Sequence, residues 1–495
     1  MSDAQLYLPD AVRRIDATAI EHCGIPGYEL MRRAAGSALQ VLRERWPQAR
    51  RLFVLAGGGN NGGDGVDLAR QAIEGGFEVQ LLLLGEPERL AGAAAEAWQA
   101  FVAAGGQCCP ESAIELDGAD VIVDALFGIG LARPIEGRAA AWVQRVNAAS
   151  APTLALDVPS GLDARTGTPL GVTVHADATV TFIARKLGLF QGAAAACVGE
   201  VVFADCDVPA AAFADVSPVA GVLGDDDLQA AWPRRGSDMH KGHFGHLVVV
   251  GGQAGMPGAV LMAARAALRS GVGLVTVITH PDHAAFLPLA QAEIMVRAAV
   301  DPQRIAPWLE PASAIVCGPG LGQGDWGRAL LSAVLEQAAG RPVVLDADAL
   351  NLIAGEPRDL SPQIVITPHP GEAARLLECA TSEVQADRLA SALALQARWN
   401  CTVVLKGAGT WLAAPERLPT VCTAGNPGMG VGGMGDALSG IIGGVVAGRG
   451  ASVDAVGGAV LAHARAGDVA AARLGQASLL PGDLIDALPR VLPRP

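Results

Sequence analysis

Asn60, Asn61 and Asp64 fall inside one run, VLAGGGNNGGDGVDLAR, where six glycines lie between an apolar stretch and a helical pattern. Their amide and carboxylate oxygens suit a hard cation or ligand hydroxyls. A glycine-rich loop opening a helix also presents unpaired backbone N–H groups, and the helix dipole draws an anion to them. The run lacks the Gly-Lys-Ser/Thr of a Walker loop and does not match GxGxxG. Two later runs also end an apolar stretch in an acidic residue. VIVDALFGIGLARPIEG carries Asp124 and then Arg133, and LALDVPSGLDARTG carries Asp157 and Ser160. One aspartate of this kind is an ordinary turn or cap residue. Three such ends at one sheet edge make a candidate site.

A second glycine run, GNPGMGVGGMGDALSGIIGG, places Gly433, Gly435 and Asp436 at the start of an apolar helix. Glycine backbone can wrap a phosphoryl group there while Asp436 faces it as a general base, the helix dipole offsetting the negative charge that develops. Phosphoryl transfer needs mainly such positioning and electrostatics. An aspartate capping a buried helix explains Asp436, but not five glycines in the eight residues from Gly428 to Gly435. His369 lies in TPHPGE between two prolines, a rigid frame from which the ring either bonds a substrate or holds the turn. His240, His243 and His246 crowd together without an acidic or Cys partner at ligand spacing, so they read as connector or rim residues.

These side chains need rigid elements to hold them. A chain of 495 residues exceeds what one hydrophobic core serves, so two domains are expected. With 51% hydrophobic and 17% charged residues the composition fits a packed α/β protein, its cores filled by Ala, Val, Leu and Ile because aromatics are scarce. LPDAVRRIDATAIEHCGIPGYELMRRAAGSALQVLRERW has helical spacing broken between Gly24 and Gly27, which predicts two helices. RLFVLAG, FEVQLLLLG, VIVDALFG, APTLALDVPS, ATVTFIA and VGEVVFADCDVP follow, the early ones separated by Ala-rich helical stretches. That is the pattern of a parallel sheet covered on both faces. Strand signals stop in AAAFADVSPVAGVLGDDDLQAAWPRRGSDMHKGHFG, which puts the boundary near residues 215–225 and the domains at 1–220 and 225–495. HLVVVGG, GLVTVIT, AIVCGPG, PVVLDADALN, QIVITPHPGE and CTVVLKGAG form a second alternation. Ligands of open α/β sheets bind beyond the carboxyl ends of the strands, so each domain should hold its own site.

The net charge of −14 argues against a general affinity for nucleic acid or anionic lipid, both of which need a basic surface. No apolar stretch reaches membrane-spanning length without Gly or a charge, and MSDAQLYLPDAVRRIDATAI is too polar for a signal peptide. The nine cysteines form no CxxC pair, which suits reduced thiols. The expectation is a cytoplasmic enzyme of small molecules, with no nucleic-acid or membrane partner.

VLAGGGNNGGDG, VDALFGIGLARPIEG, DVPSGLDARTG and ADATVTFIARKLGL, in that order within residues 1–215, closely resemble the NAD(P)HX epimerase domain. The resemblance implies a Rossmann-like three-layer α/β/α fold that interconverts the R and S hydrates of NADH and NADPH at C6. It implies that Asn60, Asn61, Gly62, Gly63 and Asp64 line the hydrate together with Gly128, Ile129, Gly130, Leu131, Ala132, Arg133 and Pro134. Asp157 would bind it beside the reacting carbon, and Asn61, Asp124 and Ser160 would hold K+. Inversion requires C6 to become planar or to open, and a carboxylate at Asp157 would shuttle the hydroxyl proton.

KGHFGHLVVVGG, GPGLG, LDADALN, ITPHPGEAARLL, LKGAGT and GGMGDALSG, within residues 225–495, are similar to the ribokinase-like NAD(P)H-hydrate dehydratase family. The similarity implies that Ala259, Gly322, His369 and Asp436 contact (S)-NAD(P)HX. Lys406, Gly407, Ala408, Gly409, Thr410 and Gly435 would contact the nucleotide, with Mg2+ on its phosphates. ADP would phosphorylate the C6 hydroxyl as Asp436 takes its proton, leaving AMP, and loss of phosphate would regenerate NAD(P)H. The family also implies a homo-oligomer. Two residues depart from the pattern: Val431 where a small hydroxyl residue is expected, and Asp67 inside the first glycine-rich helix where an apolar one is expected. The rival reading is a ribokinase-like small-molecule kinase with a non-catalytic N-terminal ligand-binding module, which would use Gly435 and Asp436 but leave NNGGDG unexplained.

Overall fold

The computed structural model describes residues 4–338, 340–355 and 360–493. They form two compact units, one ending at Ala220 and the other beginning at Gly221.

In the first unit the helices Pro9–Glu21 and Gly27–Arg45 precede a six-stranded parallel sheet. Its order is Glu78–Leu84, Arg51–Gly57, Val121–Ala125, Thr153–Leu156, Ala178–Phe182, Glu200–Ala204. One face, with Val54, Val123 and Val180, packs on Leu39, Val66 and Leu68; the other, with Phe53, Leu55 and Ile122, packs on Trp142 and Val143. Apolar residues on both faces are what a parallel sheet between two helical layers requires. The chain leaves Arg51–Gly57 toward one edge and returns to its other side at Val121–Ala125. The connections beyond these two strands therefore diverge and open a crevice.

NNGGDG lies at that crevice, but it is not the loop that its glycines predict. The helix Asn60–Glu74 already begins at Asn60. A Cβ at Gly62 would sit 1.8 Å from the Gly57 carbonyl oxygen, one at Gly63 2.6 Å from Met31, and one at Gly65 2.3 Å from the Ala125 Cβ. Glycine is needed because helix and sheet approach to backbone distance. Asp67, unexpected in this helix, is fully buried and accepts hydrogen bonds from Tyr28 Oη at 2.9 Å, Arg70 Nε at 2.7 Å and Gln71 Nε2 at 2.7 Å. The polar substitution is matched by polar partners, as burial demands.

The second unit is also built on a sheet. Its order is Met295–Ala298, Leu274–Thr279, His246–Val250, Ala314–Cys317, Val343–Leu345, Ile364–Ile366, Thr402–Leu405, Thr410–Ala413, Thr420–Cys422. The first seven strands are parallel, and Thr410–Ala413 is antiparallel to both of its neighbours. Gly221 and Val222 run parallel to Thr420 and Val421. The boundary stretch, read as free of strand signals, thus holds a short strand and the helix Asp225–Ala231. Three residues are too few to show a period of two. The helix Met434–Arg449 is buried on nearly every side. Gly440, Gly443 and Gly444 let it settle against its neighbours, since a Cβ at Gly440 would fall 2.1 Å from the Ala263 carbonyl oxygen.

Candidate functional site

In the first unit the crevice is a cavity of about 850 Å³. Asn60, Asn61, Asp64, Gly128, Ile129, Gly130, Leu131, Ala132, Arg133 and Asp157 all line it. Gly62 and Gly63 are buried against the sheet and helix instead, and Pro134 is not among the lining residues. Asp157 follows the strand Thr153–Leu156 with φ 65°, a left-handed conformation uncommon for aspartate. It is held there by its own N–H, which donates to Val180 O at 2.7 Å, and by an ion pair with Lys186 Nζ. Lys186 is 1% exposed and also donates to Phe182 O at 2.6 Å. This lysine was in plain view in FIARKLG, immediately after a strand, yet nothing in its spacing singled it out.

Asp16 and Asp64 line the same cavity. Burial raises the Asp16 carboxyl above the usual range, the Lys186 cation partly offsetting it. Burial, with repulsion from Asp157 and Asp16, holds Asp64 well above that range. Beneath them Asp124 and Ser160 are fully buried and bonded to one another, Ser160 Oγ donating to Asp124 Oδ1 at 2.7 Å and Ser160 N to Oδ2 at 2.8 Å. Burial pushes Asp124 up to about 6 against those bonds. The Asn61 amide lies against Gly128, and both its nitrogen and its oxygen are buried without a hydrogen-bond partner. A buried amide is rarely left so.

In the second unit the polar residues converge on the start of the helix Met434–Arg449. Gly433, with φ 97°, turns the chain into it and Asp436 falls in its first turn. Burial, then repulsion from Asp346, pushes Asp436 up to about 7. Asp346 follows the strand Val343–Leu345, is 1% exposed, and accepts from Lys406 Nζ at 2.7 Å and from Ser439 Oγ. Burial opposes its ionisation most strongly, but the Lys406 cation and hydrogen bonds from Lys406, Ser439 and Thr367 together hold the carboxyl below its usual range. Lys406 Nζ also lies 3.8 Å from Glu372, which burial pushes up to about 7. A Cβ on Gly435 would be 3.3 Å from Lys406 Nζ, so the helix start and LKGAGT meet as expected.

The remaining positions form the rim. Gly407 (φ 137°) and Gly409 (φ 65°) shape the turn between Thr402–Leu405 and Thr410–Ala413, and Thr410 Oγ1 donates to Gly407 O at 3.0 Å. Arg388 underpins that turn, which sequence reasoning missed. It is 1% exposed and donates to Lys406 O at 3.0 Å and to the Leu405 and Gly409 carbonyls at 3.3 Å. Gly322, the last residue of the loop GPGLG, donates its N–H to Asp348 Oδ2 at 2.8 Å, and Ala259 faces the same loop, its Cβ 3.2 Å from the place of one on Gly320. His369 caps the helix Pro370–Leu377, its Nδ1 accepting from Gly371 N at 3.0 Å, while Glu372 returns a bond to His369 N at 2.7 Å. Its ring thus holds the turn with Nδ1, while Nε2 lies 3.4 Å from Glu372 Oε1. Val431 is exposed, and its carbonyl accepts from Met434 N at 3.3 Å, so the backbone there stays organised without a hydroxyl.

His240 and His243 stack at 4.0 Å and bond backbone N–H groups, while His246 pairs with Thr276. All nine cysteines are free. Among the described residues no helix is long and apolar enough to cross a membrane.

Both halves match known families. Residues 27–188 match the family model described as YjeF-related protein N-terminus, and residues 247–490 the one described as NAD(P)H-hydrate dehydratase. Two solved structures, each like 55% of this chain, share its second half. A ribokinase-like superfamily protein from Enterococcus faecalis is matched over 94% of its length with a TM-score of 0.51 and 32% identity. The ADP/ATP-dependent NAD(P)H-hydrate dehydratase of Bacillus subtilis, co-crystallised with ATP/Mg2+, is matched over 97% with a TM-score of 0.50 and 30% identity. The fold is thus α/β in two domains, a Rossmann-like first and a ribokinase-like second. The bifunctional NAD(P)H-hydrate repair enzyme of Coxiella burnetii is 43% identical over 99% of both chains. That of Escherichia coli is 41% identical over 98% of this chain and 94% of its own. These relatives carry both halves together, which favours paired activities over a kinase with an idle N-terminal module. By likeness along almost its whole length, the chain belongs to the family of bifunctional NAD(P)H-hydrate repair enzymes.

Proposed function

We propose that residues 1–220 epimerise R and S NADHX and NADPHX at C6, and that residues 225–495 dehydrate the S form to NAD(P)H at the expense of ADP. Spontaneous hydration yields both epimers, so a stereospecific dehydratase needs an epimerase to clear the other. The observation that carries the second activity is the meeting of Asp436, Lys406 and Gly435 at one buried helix start. A carboxyl pushed up to about 7 is a competent base near neutrality.

The reaction follows from these groups. Asp436 takes the C6 hydroxyl proton as that oxygen attacks the terminal phosphorus of ADP, and the bond to the bridging oxygen breaks to release AMP. Lys406 and the Gly435 N–H hold the transferred phosphoryl charge, and the helix dipole adds to them. The C6–O bond then breaks with phosphate leaving, a proton is lost from C5, and the C5=C6 bond is restored. The turn Lys406–Thr410, braced by Arg388, positions the nucleotide, while Ala259, Gly322 and His369 position the hydrate. Glu372, 3.8 Å from Lys406 Nζ, suits Mg2+, which binds through one or two carboxylates and substrate phosphates. When bound it neutralises phosphate charge.

In the first unit Asp157, paired with Lys186, takes the hydroxyl proton while Asn60, Asp64 and Gly128 to Pro134 hold the dinucleotide hydrate. Asn61, Asp124 and Ser160 suit K+, because the unpartnered Asn61 oxygen and the buried Asp124 charge both call for a cation. When bound it supplies fixed positive charge under the cavity. We read the protein as a cytoplasmic homo-oligomer, the free thiols supporting a reducing compartment and the oligomer resting on the family resemblance alone.

The test is recovery of dihydronicotinamide absorbance when the protein meets mixed R and S NADHX with magnesium, potassium and ADP, with ATP in parallel. Full recovery is expected. Recovery of only the S fraction would remove the epimerase reading, and none with either nucleotide would remove both.

A further inference from the structure

We propose that Asp16 is the proton donor of the epimerisation, acting opposite the Asp157 base, an assignment that rests on reading the first unit as an epimerase. The helix Pro9–Glu21 turns one stripe to the cavity, and Val12, Asp16 and Ile20, at i, i+4 and i+8, all line it. An aspartate between a valine and an isoleucine on such a stripe stands where packing alone would place an apolar residue. Among the described residues its carboxyl has neither a hydrogen bond nor an ion pair. It does not cap the helix or close a network, as Asp67 does, so the fold offers no account of it.

The charged groups around it divide into two kinds. From the strand Arg185–Lys186, Lys186 reaches into the cavity, but its ammonium is bound to Asp157. From the helix Asn60–Glu74 comes Asp64, a second carboxyl with no cation of its own. Arg13, on the same helix as Asp16, donates to Ile129 O at 2.9 Å and pairs with Asp10 at 2.6 Å. Arg133 and Cys206 also line the cavity. One ammonium thus serves three carboxyls and is committed to Asp157, leaving Asp16 in an apolar wall where its neutral form is favoured. One carboxyl paired with an ammonium and another with no cation, in one site, is the arrangement of a base and an acid.

The hydrate needs both. C6 bears the hydroxyl and the ring nitrogen N1, so inversion by ring opening moves two protons. Asp157 takes the hydroxyl proton, and the O–H electron pair becomes the second bond of a C6=O carbonyl. The C6–N1 bond breaks, its electrons pass to N1, and N1 takes the proton of Asp16. Rotation about C5–C6 turns the other face of the carbonyl to N1. N1 then closes on C6 and returns its proton to Asp16, while Asp157 gives its proton to the new alkoxide. No atom is gained or lost and no oxidant is required. Asp64 faces the same cavity from the helix Asn60–Glu74, and the two variants below separate its part from that of Asp16.

The full chain tests this with (R)-NADHX as substrate, turnover of the S epimer by the second unit serving as a control in the same molecule. Asp16→Asn is expected to lower kcat for the R epimer about a hundredfold, with KM within about threefold and S turnover unchanged. The limb of the epimerase pH profile that falls as pH rises should vanish, since it reports loss of the Asp16 proton, and Asp16→Glu should restore part of the rate. R turnover by Asp16→Asn close to that of the parent, or a loss expressed in KM alone, would overturn the assignment. So would disappearance of that limb in Asp64→Asn but not in Asp16→Asn. A parent protein that cleared S but never R would overturn the epimerase reading itself.

Discussion

The two glycine-rich helix starts, at Asn60 and at Met434, look alike in sequence and differ in why they contain glycine. At Gly62 and Gly65 a Cβ would strike the Gly57 carbonyl at 1.8 Å and the Ala125 Cβ at 2.3 Å, so these residues let a helix lie on a sheet. At Gly435 the nearest atoms are Lys406 Nζ at 3.3 Å and Asp346 Oδ2 at 3.7 Å, so the glycine opens the helix end toward charge. The acidic residues diverge in the same way. Asp64 is held well above the usual carboxyl range by burial and then by repulsion from neighbouring carboxylates. Asp436 is held up to about 7 with Lys406 pulling the other way, poised to exchange a proton. A Gly-Asp pair before an apolar helix thus signals a crowded backbone in one place and a reactive end in the other.

The sharpest test of this contrast is Asp436→Asn. Dehydration of the S epimer should fall about a thousandfold, while the folded protein should gain stability at mildly alkaline pH. Asp436 rises from 3.8 to about 7 on folding, so the native state binds more protons than the unfolded chain between those values and loses stability as pH rises through that window. Asparagine has nothing to ionise. Steady-state rates and a thermal melt on the same sample check both directions, and a lower melting temperature would refute the electrostatic account. Asp157→Asn should lower R turnover about a hundredfold and leave S turnover intact, and parent-like R turnover would remove Asp157 from the chemistry. Gly62→Ala should cost about 3 kcal/mol in denaturant unfolding of the first unit, as forced overpacking does. Dehydratase kcat/KM should climb as pH rises through about 7, because the carboxylate form of Asp436 is the base; a flat profile would argue that chemistry does not limit it. The smallest effect is expected of Gly435→Ala, whose side chain fits. Stability should change by less than about 1 kcal/mol, with the loss confined to nucleotide affinity.

Much of the fold was legible because parallel strands buried on both faces are continuous apolar runs. RLFVLAG, HLVVVGG and ATVTFIA stand out for that reason, and their ends locate the polar residues. The short strands Met295–Ala298, Thr420–Cys422 and Ala220–Val222 were not legible, because three or four residues carry no period. The extent of the first glycine helix was misread, since glycine is a turn residue by default and only neighbouring atoms reveal a packing role. The oxygens of Asn61, Asp124 and Ser160 were named together from sequence. Lys186, Asp16, Arg388 and Glu372 were not assigned roles, for a lysine after a strand or an aspartate on a helix is unremarkable until its neighbours are seen.

By itself the sequence determined the two-domain α/β plan, the strand ends that carry chemistry and the family, because periodicity and motif spacing are local properties of the chain. Only the tertiary structure decided that Asp157 is paired by Lys186 while Asp16 and Asp64 are left without a cation, and that Asp346 and Lys406, sixty residues apart, meet beside Asp436. Proton affinity depends on burial and on charges within a few ångströms, and which residues come that close is settled only when the chain has folded.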